Sequence, residues 1–321
     1  MGVLRHTQDW WSVLWIMKYF VLSGVAWQVH ATIMLYPVCL LCTVGVLCYY
    51  SFAGAVITHN SMHVRCFENT LCEVIWCHLL SLSYGHPVST FVPGHNIGHH
   101  RYTQTTNDPM RTSKVRFRWH LLNLLLFQPS VAWDVLVLDT RYMCVMRTQS
   151  DPFFARCCQQ WFVLGGVQVV LLYWSWQRFL LYVWLPHACA QWAIVTMNML
   201  QHDGCDPTPP FDAHTRYNYN GARNFVGPVI NFLTFNNGYH TIHHLHPTMH
   251  WSRLAREHAV QVRGHTHPGL EQQCMARYIF RTFIYPGLRV DFRGKRIEFG
   301  QDTEPRDTDW TPNFIVTKQN I

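Results

Sequence analysis

Three histidines in the last third of the chain have a spacing that suits metal binding. His240, His243 and His244 stand at positions i, i+3 and i+4, so on a helix their side chains share one face, one turn apart. Histidine has only middling helix propensity, and local structure therefore gives no reason to cluster it. Neutral imidazole is the commonest metal ligand, which favours a metal site. The alternative is a surface patch of polar rings.

Three other stretches carry ligand-type side chains at i and i+4. They are His59 with His63, His95 with His99, and Asn198 with His202. His100 directly follows His99, and neighbours on a helix diverge by about 100°, so these two would address different metals or different sides of one. One zinc ion takes about four ligands. Nine imidazoles are therefore too many for one ion and enough for two. Imidazole suits Zn, Cu, Fe and Ni, so the ligands leave the metal open.

The composition indicates a membrane protein. Only 13% of the 321 residues are charged, 15% are aromatic, and Trp alone contributes 14. The charged share is about half that of an average soluble domain, and abundant Trp is typical of the aromatic belts at membrane interfaces. The mean hydropathy of −0.02 implies a large water-facing part beside the apolar spans.

Two long stretches are nearly free of charge and predict four membrane spans. Residues 19–64 contain no Asp, Glu, Lys or Arg, and residues 157–202 contain only Arg178. A span needs about 20 helical residues, so each stretch predicts a helical hairpin. The predicted spans lie near 11–28, 33–57, 159–176 and 179–200. The apolar stretches 71–84 and 120–138 are interrupted by Glu73, Pro129 and Asp134, which predicts interfacial or buried helices instead.

Two hairpins return the chain twice to the same side of the membrane, so all the histidine-bearing stretches emerge on one face. Of the 25 Lys and Arg residues, 9 fall in 59–158 and 13 in 203–321, whereas only Arg178 is assigned to the opposite side. The positive-inside rule therefore makes the histidine face cytosolic. The predicted fold is an all-α integral membrane protein, a single domain over 1–321. Its cytosolic helical cap comprises 59–158 and 201–321 and carries the histidines.

The remaining composition excludes two other classes of protein. The twelve cysteines are scattered, several lie in apolar runs, and no signal peptide precedes them, so they are interpreted as reduced. The net charge of +7 is dispersed over the chain without a nucleic-acid motif, which favours an anionic membrane surface over nucleic acid as the partner.

Taken together, the order HxxxH (box 1, His59–His63), HxxxHH (box 2, His95–His100) and HxxHH (box 3, His240–His244), with two membrane hairpins, resembles the membrane fatty acid desaturase and hydroxylase superfamily. The resemblance covers roughly residues 30–255, and the three-box combination is far more specific than any one box. The residues in and beside the family's boxes are also similar to those found here, namely Gly94, Arg101, Asn237, Gly238 and Pro247.

Members of this superfamily hold a non-haem diiron centre in the boxes. The resemblance therefore implies two iron ions, with O₂ as co-substrate, bound by His59, His63, His95, His99, His100, His240, His243 and His244. Asn198 and His202 match the asparagine and histidine that acyl-CoA desaturases supply from the end of their last span.

The resemblance also implies a reaction, its partners and a location. The expected activity is O₂-dependent desaturation of a fatty acyl chain carried on CoA, on acyl carrier protein or in a lipid. No fused electron donor and no nucleotide-binding motif is visible, so electrons are expected from a separate protein such as cytochrome b5 or a ferredoxin. The expected location is the endoplasmic reticulum in a eukaryote or the inner membrane in a bacterium.

Three alternatives remain open from the sequence. An acyl-chain or alkyl hydroxylase would use the same scaffold, although the tetrad Gln201-His202-Asp203-Gly204 differs from the Glu-His-Tyr-Gly of alkane monooxygenases. A zinc-dependent membrane hydrolase resembling a ceramidase would need only about three histidines. A membrane protein that buffers metal or serves as a scaffold would not be an enzyme.

Three further residues near the boxes are candidates for contacts around the metal ligands. His246 lies outside the box pattern. A position at the surface or around the metal ligands is therefore favoured for it over a ligand role. Asp203 and Asp206 follow His202 directly. Solvated loop positions are favoured for both carboxylates over a role in orienting imidazoles.

Overall fold

A computed structural model describes residues 3–105, 107–114, 117–208 and 217–297. Within these ranges the chain is mostly helical. The only sheet there is a parallel pair of short strands, β1 (Asn224–Phe225) and β2 (Glu271–Gln272). The chain divides into two compact units: the first unit comprises Met1–Phe91 and Met146–Ile194, and the second unit comprises Val92–Val145 and Val195–Ile321. Each unit thus draws on two separate stretches, and the expectation of one domain over the whole chain stays a prediction.

The helices follow in chain order. They are α1 (Trp10–Gln28), α2 (His30–Met34), α3 (Pro37–His63), α4 (Thr70–Tyr84), α5 (His100–Tyr102), α6 (His120–Thr148), α7 (Pro152–Trp174), α8 (Trp176–Phe179), α9 (Leu185–His202), α10 (Pro228–Leu233), α11 (His240–Leu245), α12 (Leu254–Gln261) and α13 (Met275–Ile279). Three π-helical segments occupy Val92–His99, Leu180–Trp184 and Phe280–Ile284. Short 3-10 turns lie at Thr7–Asp9, Val88–Thr90, Thr112–Lys114, Trp251–Arg253 and Pro268–Leu270.

In the first unit, the local sequence sets where the helices begin and end. Pro37 opens α3 at the first helical position, where its missing N–H is not needed. The Asn69 side chain accepts two backbone N–H groups at the start of α4. That helix ends at Gly85, whose φ of 79° lies in the left-handed region. Helix α3 packs against α1 and α4. The contact with α4 is close, because a Cβ on Gly54 would lie 2.5 Å from the Ser83 hydroxyl.

In the second unit, a small apolar cluster supports box 3. Ile242 and Leu245 of α11 pack with Leu254 and Val262 of the α12 region, and all four side chains are buried. Burying one such side chain contributes about 1.5–3 kcal/mol. This packing turns the opposite face of α11, the one that carries the histidines, towards the rest of the second unit.

Among the described residues, four helical segments are long and apolar enough to cross a membrane: Pro37–His63, His120–Thr148, Pro152–Trp174 and Trp176–His202. Three of them overlap the spans predicted at 33–57, 159–176 and 179–200, and Trp176–His202 contains the last of these completely. Helix α1 has nearly the bounds predicted for the first span but is not one of the four. The stretch 120–138 is longer and less broken than the sequence indicates, because α6 runs for 29 residues through Pro129, and its predicted interfacial or buried position stays a prediction.

Candidate metal centre

Box 2 is not an ordinary α-helix. Val92–His99 forms a π-helix, in which backbone hydrogen bonds join residues i and i+5 and which is frequent at functional sites. The Nε2 atoms of His95 and His100, five residues apart, are 3.0 Å from each other. Gly98 permits the tight local packing, since a Cβ there would lie 2.9 Å from Pro109 and 3.1 Å from the Pro93 carbonyl oxygen.

Box 3 lies on the short helix α11, whose entry is fixed by backbone contacts. A Cβ on Gly238 would lie 2.2 Å from the Phe225 carbonyl oxygen, so only glycine fits there. The Gly238 N–H donates to Asn231 Oδ1 at 3.1 Å. One residue into the helix, the Thr241 N–H donates to Asn224 Oδ1 at 2.9 Å. A helix of six residues is too short to be stable alone, so these contacts set its position.

Within the second unit, seven histidines form two clusters. His95, His100 and His243 form cluster A, and His99, His202, His240 and His244 form cluster B; in each, one ring nitrogen per residue lies within 4.8 Å of the others. Neighbours in sequence therefore divide between the clusters, His99 from His100 and His243 from His244. All seven residues are at most 8% exposed.

The ring nitrogens of cluster B lie in direct contact. His202 Nε2 is 3.2 Å from His99 Nε2 and 3.0 Å from His240 Nε2. His244 Nε2 is 3.1 Å from His240 Nε2. In cluster A, His243 Nε2 lies 3.1 Å from His100 Nε2.

Hydrogen bonds at Nδ1 of His99 and His202 determine where each ring carries a proton. His99 Nδ1 lies 2.9 Å from Asp108 Oδ2, and His202 Nδ1 lies 2.9 Å from the Gly221 carbonyl oxygen. Both partners are acceptors, so each Nδ1 carries a proton, and in a neutral ring the Nε2 then presents a lone pair. The two Nε2 atoms face each other at 3.2 Å, and two neutral rings in this arrangement fit a cation bound by both.

Burial keeps the imidazoles in the form that binds metals. Desolvation, followed by the neighbouring His244 and His202, lowers the pKa of His240 well below its usual value. His240 is therefore neutral near pH 7. Its Nδ1 is buried and has no hydrogen-bond partner in the described part of the chain. A donor set of neutral imidazoles suits a transition metal rather than Mg²⁺ or Ca²⁺, which prefer oxygen.

The remaining ligands predicted from the sequence are His59, His63 and Asn198. His59 and His63 lie on the last turn of α3 in the first unit, with ring centroids 5.1 Å apart. Asn198 is buried one turn before His202 on α9. Its Nδ2 donates to the Met110 carbonyl oxygen at 3.4 Å, and its Oδ1 has no hydrogen-bond partner among the described residues. These three assignments stay predictions.

Two carboxylates near cluster B differ from the sequence-based expectation. Asp108 was not predicted to take part, yet it is fully buried and holds His99 while accepting the Gln104 and Met110 N–H groups. Asp203 was expected in solvent, but it is 1% exposed and paired with Arg289. No sequence pattern marks either partner, because each is defined by a contact made in the folded chain.

His246 and Asp206 keep an outer position, as the sequence favoured. His246 is not part of either cluster, and its Nε2 lies 2.9 Å from Gln261 Oε1. Asp206 Oδ1 accepts the Thr208 N–H at 3.0 Å, a local turn contact. His246 therefore offers a control position inside the same histidine-rich stretch.

The comparison with known families agrees with this site. The family model described as fatty acid desaturase matches residues 31–269, well over half of the chain and all three boxes. The chain therefore belongs to the fatty acid desaturase family, a superfamily of membrane enzymes that includes hydroxylases. No curated protein matches the chain, and no solved structure does either.

Proposed function

We propose that this protein is an O₂-dependent oxidoreductase that introduces a double bond into a fatty acyl chain at a diiron centre. The observation that carries the proposal is the pair of buried histidine clusters, in which the Nε2 atoms of His99 and His202 face each other at 3.2 Å. Membership of the desaturase family supports the same chemistry. A single zinc site would leave one of the two clusters without a purpose.

Each cluster would hold one iron ion. His99, His202, His240 and His244 already supply four nitrogens for the ion of cluster B. We propose that His59 and His63 of box 1 complete the three histidines of cluster A, as the family pattern implies. Asn198 would offer its Oδ1 as an oxygen ligand, which fits a buried amide whose Oδ1 accepts no hydrogen bond from the described residues.

The reaction balances with two external electrons. The iron ions, when bound, activate O₂ for removal of hydrogen from unactivated C–H bonds. Two neighbouring methylene groups each lose one hydrogen. O₂ takes up these two hydrogens together with two protons and two electrons and leaves as two water molecules. The chain's own residues hold the neutral imidazoles in place: Asp108 and the Gly221 carbonyl orient His99 and His202. The electrons come from a separate donor protein such as cytochrome b5 or a ferredoxin.

The first unit has room for hydrocarbon. It contains an almost wholly apolar cavity of about 290 Å³ lined by Phe20 and Trp27 of α1, Leu164 and Leu171 of α7, and neighbouring side chains. Ligand cavities of this size and polarity bind apolar molecules. The cavity supports an acyl substrate, delivered from the bilayer on CoA, on acyl carrier protein or as a lipid.

We infer from chain connectivity that α6 does not cross the membrane. His99 and His202 lie 3.2 Å apart, so both are on the same side of the bilayer, and an even number of crossings separates them. Three candidate spans lie between them, namely α6, α7 and the segment Trp176–His202. The last two adjoin at Ser175 and form one hairpin, which leaves α6 at the surface. The distribution of Lys and Arg makes the histidine side cytosolic.

The test is expression in a host with a simple fatty acid profile, supplied with cytochrome b5 and ferredoxin systems, followed by mass spectrometry of total fatty acids. The wild type should produce a new unsaturated species. His243→Ala should produce none while remaining in the membrane fraction, and His246→Ala, the matched control, should behave as wild type.

Metal analysis of the purified wild type accompanies the product analysis. Two iron ions per chain are expected. One zinc ion per chain without iron would overturn the diiron proposal, and a hydroxylated product in place of an alkene would make the enzyme a hydroxylase.

A further inference from the structure

A buried ion pair lies directly beside cluster B. Arg289 Nε is 3.0 Å from Asp203 Oδ1 and 2.8 Å from Oδ2, and its Nη2 is 2.5 Å from Oδ1. The two side chains are 7% and 1% exposed. A two-pronged pair of this kind fixes the relative orientation of both groups as well as their distance.

Asp203 is part of the same helical turn as the metal-ligand candidate His202. Its N–H donates to the Met199 carbonyl oxygen at 2.8 Å, which continues the hydrogen bonding of α9 by one residue. Arg223 caps the end of that turn, because its Nη1 donates to the carbonyl oxygens of Leu200 and Asp203 at 2.9 and 2.8 Å. Both arginines therefore lie at the C-terminal end of α9, where positive charge is favourable.

The backbone beside Arg289 rests against the residue that follows Asp203. Gly204 has a φ of +71°, and a Cβ there would lie 2.5 Å from the Val290 carbonyl oxygen. A side chain at 204 would thus push Val290 away from the end of α9. Only glycine allows this approach without strain.

Arg289 is itself held by a small hairpin, residues 289–297. Val290 forms an antiparallel bridge with Arg296. The Asp291 N–H donates to the Lys295 carbonyl oxygen at 2.8 Å, and the Ile297 N–H to that of Arg289 at 3.0 Å. Arg289 is therefore presented by an ordered backbone, not by a free tail.

We propose that Arg289 is a positioning residue for the metal of cluster B: by clamping Asp203 it fixes the last turn of α9 and with it the ring of His202. The inference rests on the proposed function. It reaches beyond the family-matched region, which ends at residue 269. His95, His100 and His243 of cluster A are on other elements, so cluster A should not depend on the clamp.

The experiment uses the purified full-length protein in detergent, stripped of metal and titrated with Co²⁺, whose visible absorption reports its ligands. The variants are Arg289→Gln, Arg289→Lys and the matched control Arg293→Gln, an exposed arginine in the same hairpin. Bound Co²⁺ per chain and the dissociation constant of each site are measured, with circular dichroism as the check on folding.

Wild type and Arg293→Gln should bind two ions. Arg289→Gln should keep one site unchanged and lose affinity at the other by roughly 10–100-fold, the range for partners that orient metal ligands. Arg289→Lys keeps the positive charge but cannot make the two-pronged contact with Asp203. Its affinity at that site should therefore lie between those of the wild type and Arg289→Gln. If Arg289→Gln fails to fold, the lysine variant provides the measurement.

Two unchanged sites in a folded Arg289 variant would overturn the clamp, and so would equal weakening of both. A wild type that binds no metal at all would instead refute the proposed function, which keeps the two failures distinguishable.

Discussion

Helix α7 of the first unit exposes large apolar side chains. The histidine region of the second unit, in contrast, buries polar ones. On α7, Phe162 is 82% exposed and Tyr173 is 94% exposed. In the second unit, His99, Asp108 and Asn224 are completely buried. Exposed apolar rings are expected where lipid is the solvent, whereas buried polar groups persist only if each finds a partner.

This difference predicts how each region tolerates amino-acid substitutions. Lipid accepts any apolar side chain of suitable size, so the outer face of α7 is specified only by the absence of charge. In the second unit, several buried polar groups near the clusters each contact one particular atom, such as His99 Nδ1 with Asp108 and His202 Nδ1 with the Gly221 carbonyl oxygen. A substitution on α7 should therefore matter only when it adds charge, and one near the clusters should matter even when it is small.

The largest effect is expected from a charge in the middle of a lipid-facing helix. Phe162→Arg on α7 should make membrane insertion less favourable by about 2.5–3.5 kcal/mol. Trp133→Arg is the matched variant, because Trp133 is also an exposed aromatic residue, 70% exposed, near the middle of α6. It should cost less than about 1 kcal/mol if α6 lies at the interface. Glycosylation mapping of inserted and non-inserted chains measures both, and equal losses would mean that α6 crosses the bilayer.

The next effect is steric and concerns the entry to box 3. Gly238→Ala places a Cβ 2.2 Å from the Phe225 carbonyl oxygen and 2.6 Å from Asn231 Oδ1. The backbone must move, which should destabilise the protein by about 1–3 kcal/mol and displace His240. Gly264→Ala is the control, since a Cβ there meets no atom within 4 Å. Thermal unfolding in detergent compares them, and equal melting temperatures would contradict the close packing.

A smaller effect is expected from the carboxylate behind His99. Asp108→Asn keeps the shape of the side chain but removes the charge that orients and polarises the ring. Metal affinity should fall roughly 10–100-fold, or about 1.4–2.7 kcal/mol. Asp206→Asn, a loop carboxylate in the same unit, should leave affinity unchanged. Competition with a metal chelator measures both, and an unchanged Asp108→Asn would remove the carboxylate from the site.

The sequence predicts the ligand-bearing stretches but not what holds them. Repeated spacing marks the histidines of boxes 2 and 3 because ligand types recur along the chain. Asp108, Asp203 and Arg289 carry no such mark, since their roles depend on contacts between residues far apart in sequence. The π-helix in box 2 also escapes pattern reading. HxxxHH looks the same on an α-helix, and contacts such as that of Gly98 with Pro109 appear only in the folded chain.

The membrane helices are likewise only partly predictable from the sequence. Three of the spans follow directly from long uncharged runs. In α6, Pro129 and Asp134 look like breaks in the sequence, yet the helix continues through Pro129, and Asp134 pairs with Lys114. A proline removes one backbone hydrogen bond, a loss that the surrounding helix can absorb. Length and composition make α6 a candidate span, and the contact between His99 and His202 is the observation behind our proposal that it lies at the surface.

The hairpin that carries Arg289 also sets a time order for the chain. A ribosome delivers the N-terminal residues first, and domains tend to fold as they emerge. The second unit needs Val92–Val145, Val195 onwards and finally Arg289. Its buried carboxylate, Asp203, therefore lacks its counter-charge until Arg289 has been synthesised, 86 residues later. The last turn of α9 therefore acquires this contact only after every histidine of boxes 1 to 3 has been synthesised.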